Sequence, residues 1–243
     1  MSKQSPLFRP LQVGALQLPN RVVMSPLTRS RAEAGHVPGE LIAEYYAQRA
    51  GAGLIIAEAT MAAGDASAFV AEPGIYSPEQ VRGWKRVTDA VHAEGGHIAL
   101  QIWHPGRATH PSLNGGVQPV SSTDRAIGGD RMQPWQGGNE YPAPRRLAVA
   151  ELAGIVALFR AAAENARDAG FDAVQVHGAH GYLIDQFLRD GANDRSDEYG
   201  GPLPNRARLL FEVVDAAVEV FGAERVGLRI SPLVAYNDMR DSD

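Results

Sequence analysis

The sequence predicts an α/β fold in which the strands of a parallel sheet alternate with helices. Three observations carry that reading. Short apolar runs alternate along the chain with longer amphipathic ones, the spacing of successive βα units. The strand-like runs are apolar at nearly every position, not at every second one, as in strands covered on both faces. Two imidazoles and a phenol, His177, His180 and Tyr182, leave the end of one such run together. The carboxyl end of a strand is where a (β/α) barrel keeps its reactive groups.

Taken in order, residues 21–26 read as the first strand. Leu41, Ile42, Tyr45 and Tyr46 recur at helical spacing and predict a helix over 38–50. The continuous apolar run 54–58 is the second strand. Ser77 then supplies an N-cap, with Pro78 at the first helical position and Gln80 at the capping-box position. That helix runs to about Glu94, where Gly95 and Gly96 end it. Residues 97–102 are the third strand. Residues 104–147 are rich in Gly, Pro, Ser and Asn and have little periodicity. A loop that long is usually functional, and it predicts an excursion above the third strand carrying a small hairpin. A helix over 147–169 ends at Gly170, and 173–176 form the fourth strand. A helix over 205–221 ends at Gly222, 226–230 form the fifth strand, and the polar residues 237–243 read as loop. Five such repeats suit either a doubly wound sheet or part of an eight-stranded barrel. No Gly-rich phosphate turn follows the first strand, which counts against a dinucleotide-binding sheet.

Composition narrows the function. A chain of 243 residues with 44% hydrophobic content can bury one large core, so 1–243 is taken as a single unit. There are 23 basic and 28 acidic residues and no basic run, so no nucleic-acid partner is expected. No apolar stretch approaches the ~18 residues of a membrane span, so no membrane is expected either. Residues 1–6 lack the apolar core of a signal peptide. With no cysteine there is no disulfide, thiolate zinc site or iron–sulfur cluster, and a cytoplasmic enzyme is the expectation.

Several residue types at predicted strand ends suit chemistry. His177 and His180 have three readings. They are a metal pair completed by Asp185 or Asp194, ring nitrogens satisfied by backbone carbonyls, or donors to a substrate oxygen. The helical His-Glu-x-x-His frame of many zinc sites is absent, so no metal is assigned. Tyr182 beside them is a weak acid able to give up a proton. Pro26, Leu27 and Thr28 close the first strand, where a turn with a hydroxyl cap is the plain alternative. Ala57 ends the second strand, and its small side chain would let a flat ligand approach the backbone. Gln101 and Trp103 end the third, and a buried amide needs a partner such as the polar edge of a heteroaromatic ring. Arg229 lies among apolar residues of the fifth strand and is expected to meet an anion or an electron-rich ring. Each alone is more often structural. Five consecutive strand ends suited to one planar polar ligand are not readily explained by chance.

The chain resembles the Old Yellow Enzyme family of flavin-dependent ene reductases. The resemblance rests on NRVVMSPLTR at 20–29, QIWHPGR at 101–107, HGAHGYLIDQFL at 177–188, NDRSDEYGG at 193–201 and GLRISP at 227–232, in family order. It implies a TIM (β/α)8 barrel carrying FMN, with a hairpin under the barrel near residues 8–18 and NADPH or NADH as reductant. Pro26, Leu27, Thr28 and Ala57 would line the flavin, Thr28 bonding its C4 oxygen. Gln101 would bond the pyrimidine edge, and Arg229 would lie by N1 and the C2 oxygen. An activated alkene (an enone, maleimide or nitroalkene) would bind over the same ring, its oxygen held by His177 and His180. Hydride would come from flavin N5 and a proton from Tyr182. Trp103 would shape the substrate pocket, together with Thr28 and Phe69.

Departures from the family pattern bear on function. Phe69, in AFVAEPG at 68–74, replaces a tyrosine of many relatives and removes a hydroxyl near the substrate. Thr28 stands where one branch keeps cysteine. The family continues for roughly another third, through strands six to eight and the FMN phosphate site. Only about the first five βα units are expected here, and a second polypeptide segment is expected to supply the remainder. The competing readings are a non-catalytic barrel fragment or assembly partner, and a metal-dependent barrel lyase or hydrolase.

Overall fold

Nine short strands and six α-helices are found in a computed structural model that describes residues 5–128 and 140–241. The central strands are β3 (Val23–Met24), β4 (Leu54–Met61), β5 (Ile98–Trp103), β8 (Ala173–Gly178) and β9 (Val226–Ile230). They form one parallel sheet in the order β3-β4-β5-β8-β9. Each strand pairs with the next along the chain and the order never reverses. A doubly wound sheet needs such a reversal, so the winding is that of part of a barrel.

The helices lie on the outer face. They are α1 (Glu40–Ala47), α2 (Pro78–Ala93), α3 (Val149–Asp168) and α6 (Arg208–Phe221). Their apolar sides cover the outward residues of the strands. Tyr46, Trp84, Phe159, Leu209 and Val213 are buried with Ile55, Leu100, Ile102, Val174 and Val176. The Ser77 hydroxyl accepts from the Gln80 amide, and Gln80 returns its side chain to the Ser77 amide, so the predicted capping box is present.

The amino ends of the strands are closed by β1 (Leu11–Val13) and β2 (Leu16–Leu18), an antiparallel hairpin. Leu16 and Leu18 pack on Leu54, Ala99 and Ala173, which begin or nearly begin β4, β5 and β8. The opposite, carboxyl ends carry the candidate site.

Four expectations change. The first strand, expected over 21–26, is ladder-paired only at Val23 and Met24. It is an edge strand with a partner on one side. The excursion holds β6 (Val120–Ser121) and β7 (Arg145–Arg146), which pair in parallel and so are not a hairpin. A parallel pair needs a long return, and residues 122–144 lie between the two. Of that return, 129–139 fall outside the described residues. The helix expected over 205–221 divides at Ala207 into α5 (Leu203–Arg206) and α6. A further helix, α4 (Leu183–Leu188), was not foreseen. Five of its six residues are buried, so it shows no polar face and no helical period.

The sheet is open at both sides. Val22 and Val23 by β3, and Leu228 and Ile230 in β9, are exposed. Among the described residues no helix is long and apolar enough to cross a membrane.

The capping box gives the first prediction. Replacing Ser77 by Ala removes the acceptor for the Gln80 amide. It is expected to cost about 1 kcal/mol, read as a lower urea midpoint at unchanged slope.

Candidate active site

At the carboxyl ends of the strands the chain encloses an open cavity of about 540 Å³. Each central strand, or the segment that follows it, contributes to its lining. The segment after β3 contributes Pro26, Leu27, Thr28 and Ser30, and β5 contributes Gln101 and Trp103. His177, at the end of β8, is followed by His180 and Tyr182 on the turn into α4, and β9 contributes Arg229. Phe69 closes one side from the loop after β4.

One expected residue is elsewhere. Ala57 is fully buried on the helix side with Ile55, and Ala59 lines the cavity instead. The cause is a bulge in β4. Its register against β5 steps from Ile56 opposite Ala99 to Ala59 opposite Gln101. The extra residue reverses the inward–outward alternation, so position 59 faces inward although 57 faces out. A count by twos along the sequence misses this.

Gln101 donates from Nε2 to Gln175 Oε1 at 2.7 Å, so one of its amide hydrogens is already placed by the neighbouring strand. That bond fixes the amide plane of a side chain only 2% exposed. Trp103 is fully buried, and its indole Nε1 has no hydrogen-bond partner. Its ring meets the edge of Tyr182 at 4.5 Å between centroids and lies 5.8 Å from Phe69.

The two histidines differ. His177 Nδ1 accepts from the Ala179 amide at 3.3 Å, which puts the proton of the neutral ring on Nε2. Burial, helped by His180 and Arg229, pushes its pKa down to about 3, so the ring is neutral throughout the physiological range. His180 lies 5.5 Å away between ring centroids and is more open, and burial and Arg229 push its pKa down as well. His180 takes a left-handed backbone conformation at φ 57°, which a non-glycine residue holds only when its surroundings demand it. Here its amide donates to Ser231 Oγ at 2.7 Å, and its carbonyl accepts from Asn237 Nδ2 at 2.8 Å. The backbone-carbonyl partners considered for the two rings are therefore not what holds His177. Burial raises the Tyr182 hydroxyl well above its usual pKa, so it keeps its proton at neutral pH. Neutral imidazoles and a protonated phenol thus face one cavity as potential donors.

The carboxylates that a metal would need are committed elsewhere. Asp185 accepts from the Gly181 amide at 2.8 Å, and Asp194 pairs with Arg146 at 2.9 Å. Among the described residues no three metal-ligating side chains cluster.

A residue passed over in the sequence organises this turn. Gln186, fully buried in α4, accepts at Oε1 from the Arg107 amide at 3.1 Å and the Ser121 hydroxyl at 2.9 Å. Its Nε2 donates to the carbonyls of Pro105 at 3.0 Å and Gly181 at 2.6 Å. Gly106 sits so close that a β-carbon there would overlap the Gln186 amide. The only sequence signal for Gln186 was its place inside the 177–188 motif. Ser30 and Ala59 carried no signal of their own.

Comparison with known proteins accords with this architecture. A profile of the NADH:flavin oxidoreductase / NADH oxidase family matches residues 6–243, and the chain belongs to that family, the Old Yellow Enzyme family of the sequence resemblance. The chain is 51% identical over 245 residues to 12-oxophytodienoate reductase 7 of Oryza sativa subsp. japonica, covering 99% of this chain and 62% of that protein. It is 50% identical to a probable flavin mononucleotide-dependent alkene reductase of Leishmania infantum, covering 98% and 66%. The structure of morphinone reductase in complex with tetrahydroNAD superposes with a TM-score of 0.93 at 48% identity, covering 99% of this chain and 68% of the other. The chain thus spans about two thirds or less of the curated relatives named here.

The Gln186 cluster gives the second prediction. Changing Gln186 to Leu leaves the Pro105 and Gly181 carbonyls and the Arg107 amide without their partner. Stability is expected to fall by about 3 kcal/mol or more, measured by thermal denaturation.

Proposed function

We propose that this chain forms the flavin- and substrate-holding part of an FMN-dependent ene reductase. On this reading it uses NADPH or NADH to reduce the C=C bond of activated alkenes such as enones, maleimides and nitroalkenes. The observation that carries the reading is the convergence of Thr28, Gln101, Arg229, His177, His180 and Tyr182 on one cavity. The residues present suit a flat, polar, partly anionic ring system. Ala59 leaves room for the face of a ring, and Gln101 offers an oriented amide edge. Arg229 is a half-buried cation that lines the cavity.

When bound, FMN would supply hydride transfer. The residues of the chain hold and polarise. Pro26, Leu27, Thr28 and Ala59 would form the wall of the ring site, and Thr28 and Gln101 would offer polar groups to the ring. Arg229 stabilises negative charge on the ring. His177 and His180 donate to the carbonyl or nitro oxygen of the alkene. As neutral rings they withdraw density from the double bond without themselves losing a charge. Tyr182 places a proton at the α-carbon. Trp103 and Phe69 exclude water and shape the alkene side.

The unpaired edges of β3 and β9, with Val22, Val23, Leu228 and Ile230 exposed, support a further step. A further segment, of this polypeptide or another, completes the barrel and supplies the FMN phosphate site. The cysteine-free sequence accords with the cytoplasmic setting included in this reading.

The test is the visible absorbance of the chain, alone and co-expressed with a family segment that carries the remaining strands. Flavin bands that appear with the added segment, together with maleimide-dependent oxidation of NADPH, are expected. No flavin in any preparation would overturn the reading in favour of an assembly partner without catalysis. In the active preparation, Tyr182→Phe is expected to slow alkene reduction by about 10²- to 10⁴-fold while NADPH still reduces the flavin at the unaltered rate.

A further inference from the structure

The loop between β4 and α2 contains an ionisable group that no role given above uses. Glu72 is fully buried in it. Its carboxyl turns back on the loop, and Oε1 accepts from the amides of Ala68 at 2.6 Å and Phe69 at 3.2 Å. Its other oxygen, Oε2, makes no hydrogen bond at ordinary distance, although the Ser67 hydroxyl lies near enough to favour the charged form. The flanks are tied down separately. The Ala71 carbonyl accepts from the Ala32 amide at 2.9 Å, and that of Gly74 from Trp84 Nε1 at 3.0 Å. The Glu72 carbonyl meets His36 Nδ1 at 2.7 Å, and the Thr109 hydroxyl donates to the Ser67 carbonyl. Between these anchors lies Phe69, whose ring faces Trp103 and, through it, Tyr182.

We propose that Glu72 is a positioning residue whose buried carboxyl fixes the Phe69 loop over the alkene side of the cavity and so sets which substrates the pocket admits. The inference rests on the functional reading above and deepens it. An acceptor in the middle of an irregular loop, bonded to two consecutive amides, selects one loop conformation. Without it both amides lose a buried partner, and the loop must rearrange to satisfy them. Any rearrangement moves Phe69, because one of the two amides is its own.

The protonation state follows from the surroundings. The titratable groups that act on Glu72 are Glu58 on β4 and Tyr182 beside α4, while His36 meets only its backbone carbonyl. None brings a positive charge to the carboxyl. Burial pushes its pKa up to about 8, only partly offset by the hydrogen bonds it accepts. The neutral acid therefore prevails at pH 7, its carbonyl oxygen serving both amides. The folded pKa exceeds the ordinary value of 4.5, so the folded chain binds the proton more tightly than the unfolded chain. Its contribution to stability is then largest below 4.5 and falls as pH rises to about 8. Glutamine reproduces the neutral acid in shape and acceptor, whereas alanine does not.

The test compares Glu72→Gln and Glu72→Ala in the full chain by amide hydrogen exchange, and in the flavin-loaded protein by kinetics with N-methylmaleimide. Glu72→Ala is expected to lower protection at Ala68 and Phe69 by about tenfold or more, with β5 amides unchanged. It is also expected to raise KM for the maleimide about fivefold with a smaller change in kcat. Glu72→Gln is expected to match the parent in both, and to lose the fall in Phe69 protection that the parent shows above pH 8. Unaltered protection in Glu72→Ala would overturn the positioning role. Lowered protection with unaltered KM would overturn the effect on substrate. If Glu72→Ala fails to fold, Glu72→Met, which keeps the bulk and lacks the oxygen acceptor, takes its place, and unaltered protection at Ala68 and Phe69 in that variant overturns the proposal. Absence of maleimide turnover in the parent would count against the ene-reductase reading, while the exchange data would still decide the role of Glu72.

Discussion

The arrangement of the site depends most on one buried amide. Gln186 has four hydrogen-bonding positions, and all four are filled by groups that come from different parts of the chain. Pro105 and Arg107 begin the long excursion, Ser121 lies in β6, and Gly181 precedes Tyr182. A side chain with two donors and two acceptors in fixed planar geometry can join such segments in only one way. It therefore locks the turn carrying His180 and Tyr182 to the segment that leaves Trp103. Gly106 is required there because the Gln186 amide occupies the place of its β-carbon.

Around that lock the electrostatics of the cavity are set by burial more than by charge pairing. His177 is kept neutral by desolvation, with His180 and Arg229 acting in the same direction. Its tautomer follows from a single backbone amide, that of Ala179. Tyr182 is kept protonated by the same apolar surroundings of Trp103 and its neighbours. Proton donors gathered in a low-dielectric cavity and faced by one cation can polarise a bound oxygen without reorganising, which is how such sites lower barriers.

The loop after β4 shows the same economy on the opposite wall. Glu72 supplies from within the loop an acceptor that regular secondary structure would otherwise provide. Phe69 gives the pocket an apolar surface on that side. The stiffness of that surface then depends on a carboxyl that stays neutral only while it is buried. Substrate fit and loop order are thereby coupled through one group.

The sequence by itself determined the alternation of strands and helices, the capping box at Ser77 and the grouping of His177, His180 and Tyr182. Each is a local pattern of a few residues, fixed by periodicity, by turn chemistry or by a short motif. The motifs also placed Thr28, Gln101, Trp103 and Arg229 at strand ends, and the structure brings them into one cavity. Only the tertiary structure decided the rest. Strand order separated a barrel from a doubly wound sheet, because pairing partners are distant in sequence. The bulge in β4 exchanged Ala57 for Ala59, because inward and outward alternation depends on register against β5. The helix α4 and the Gln186 cluster stayed hidden because burial on every side erases the polar–apolar contrast that reveals a helix. Glu72 carried no signal of its own in the sequence, and only its enclosure beside the amides of Ala68 and Phe69 makes it a neutral strut.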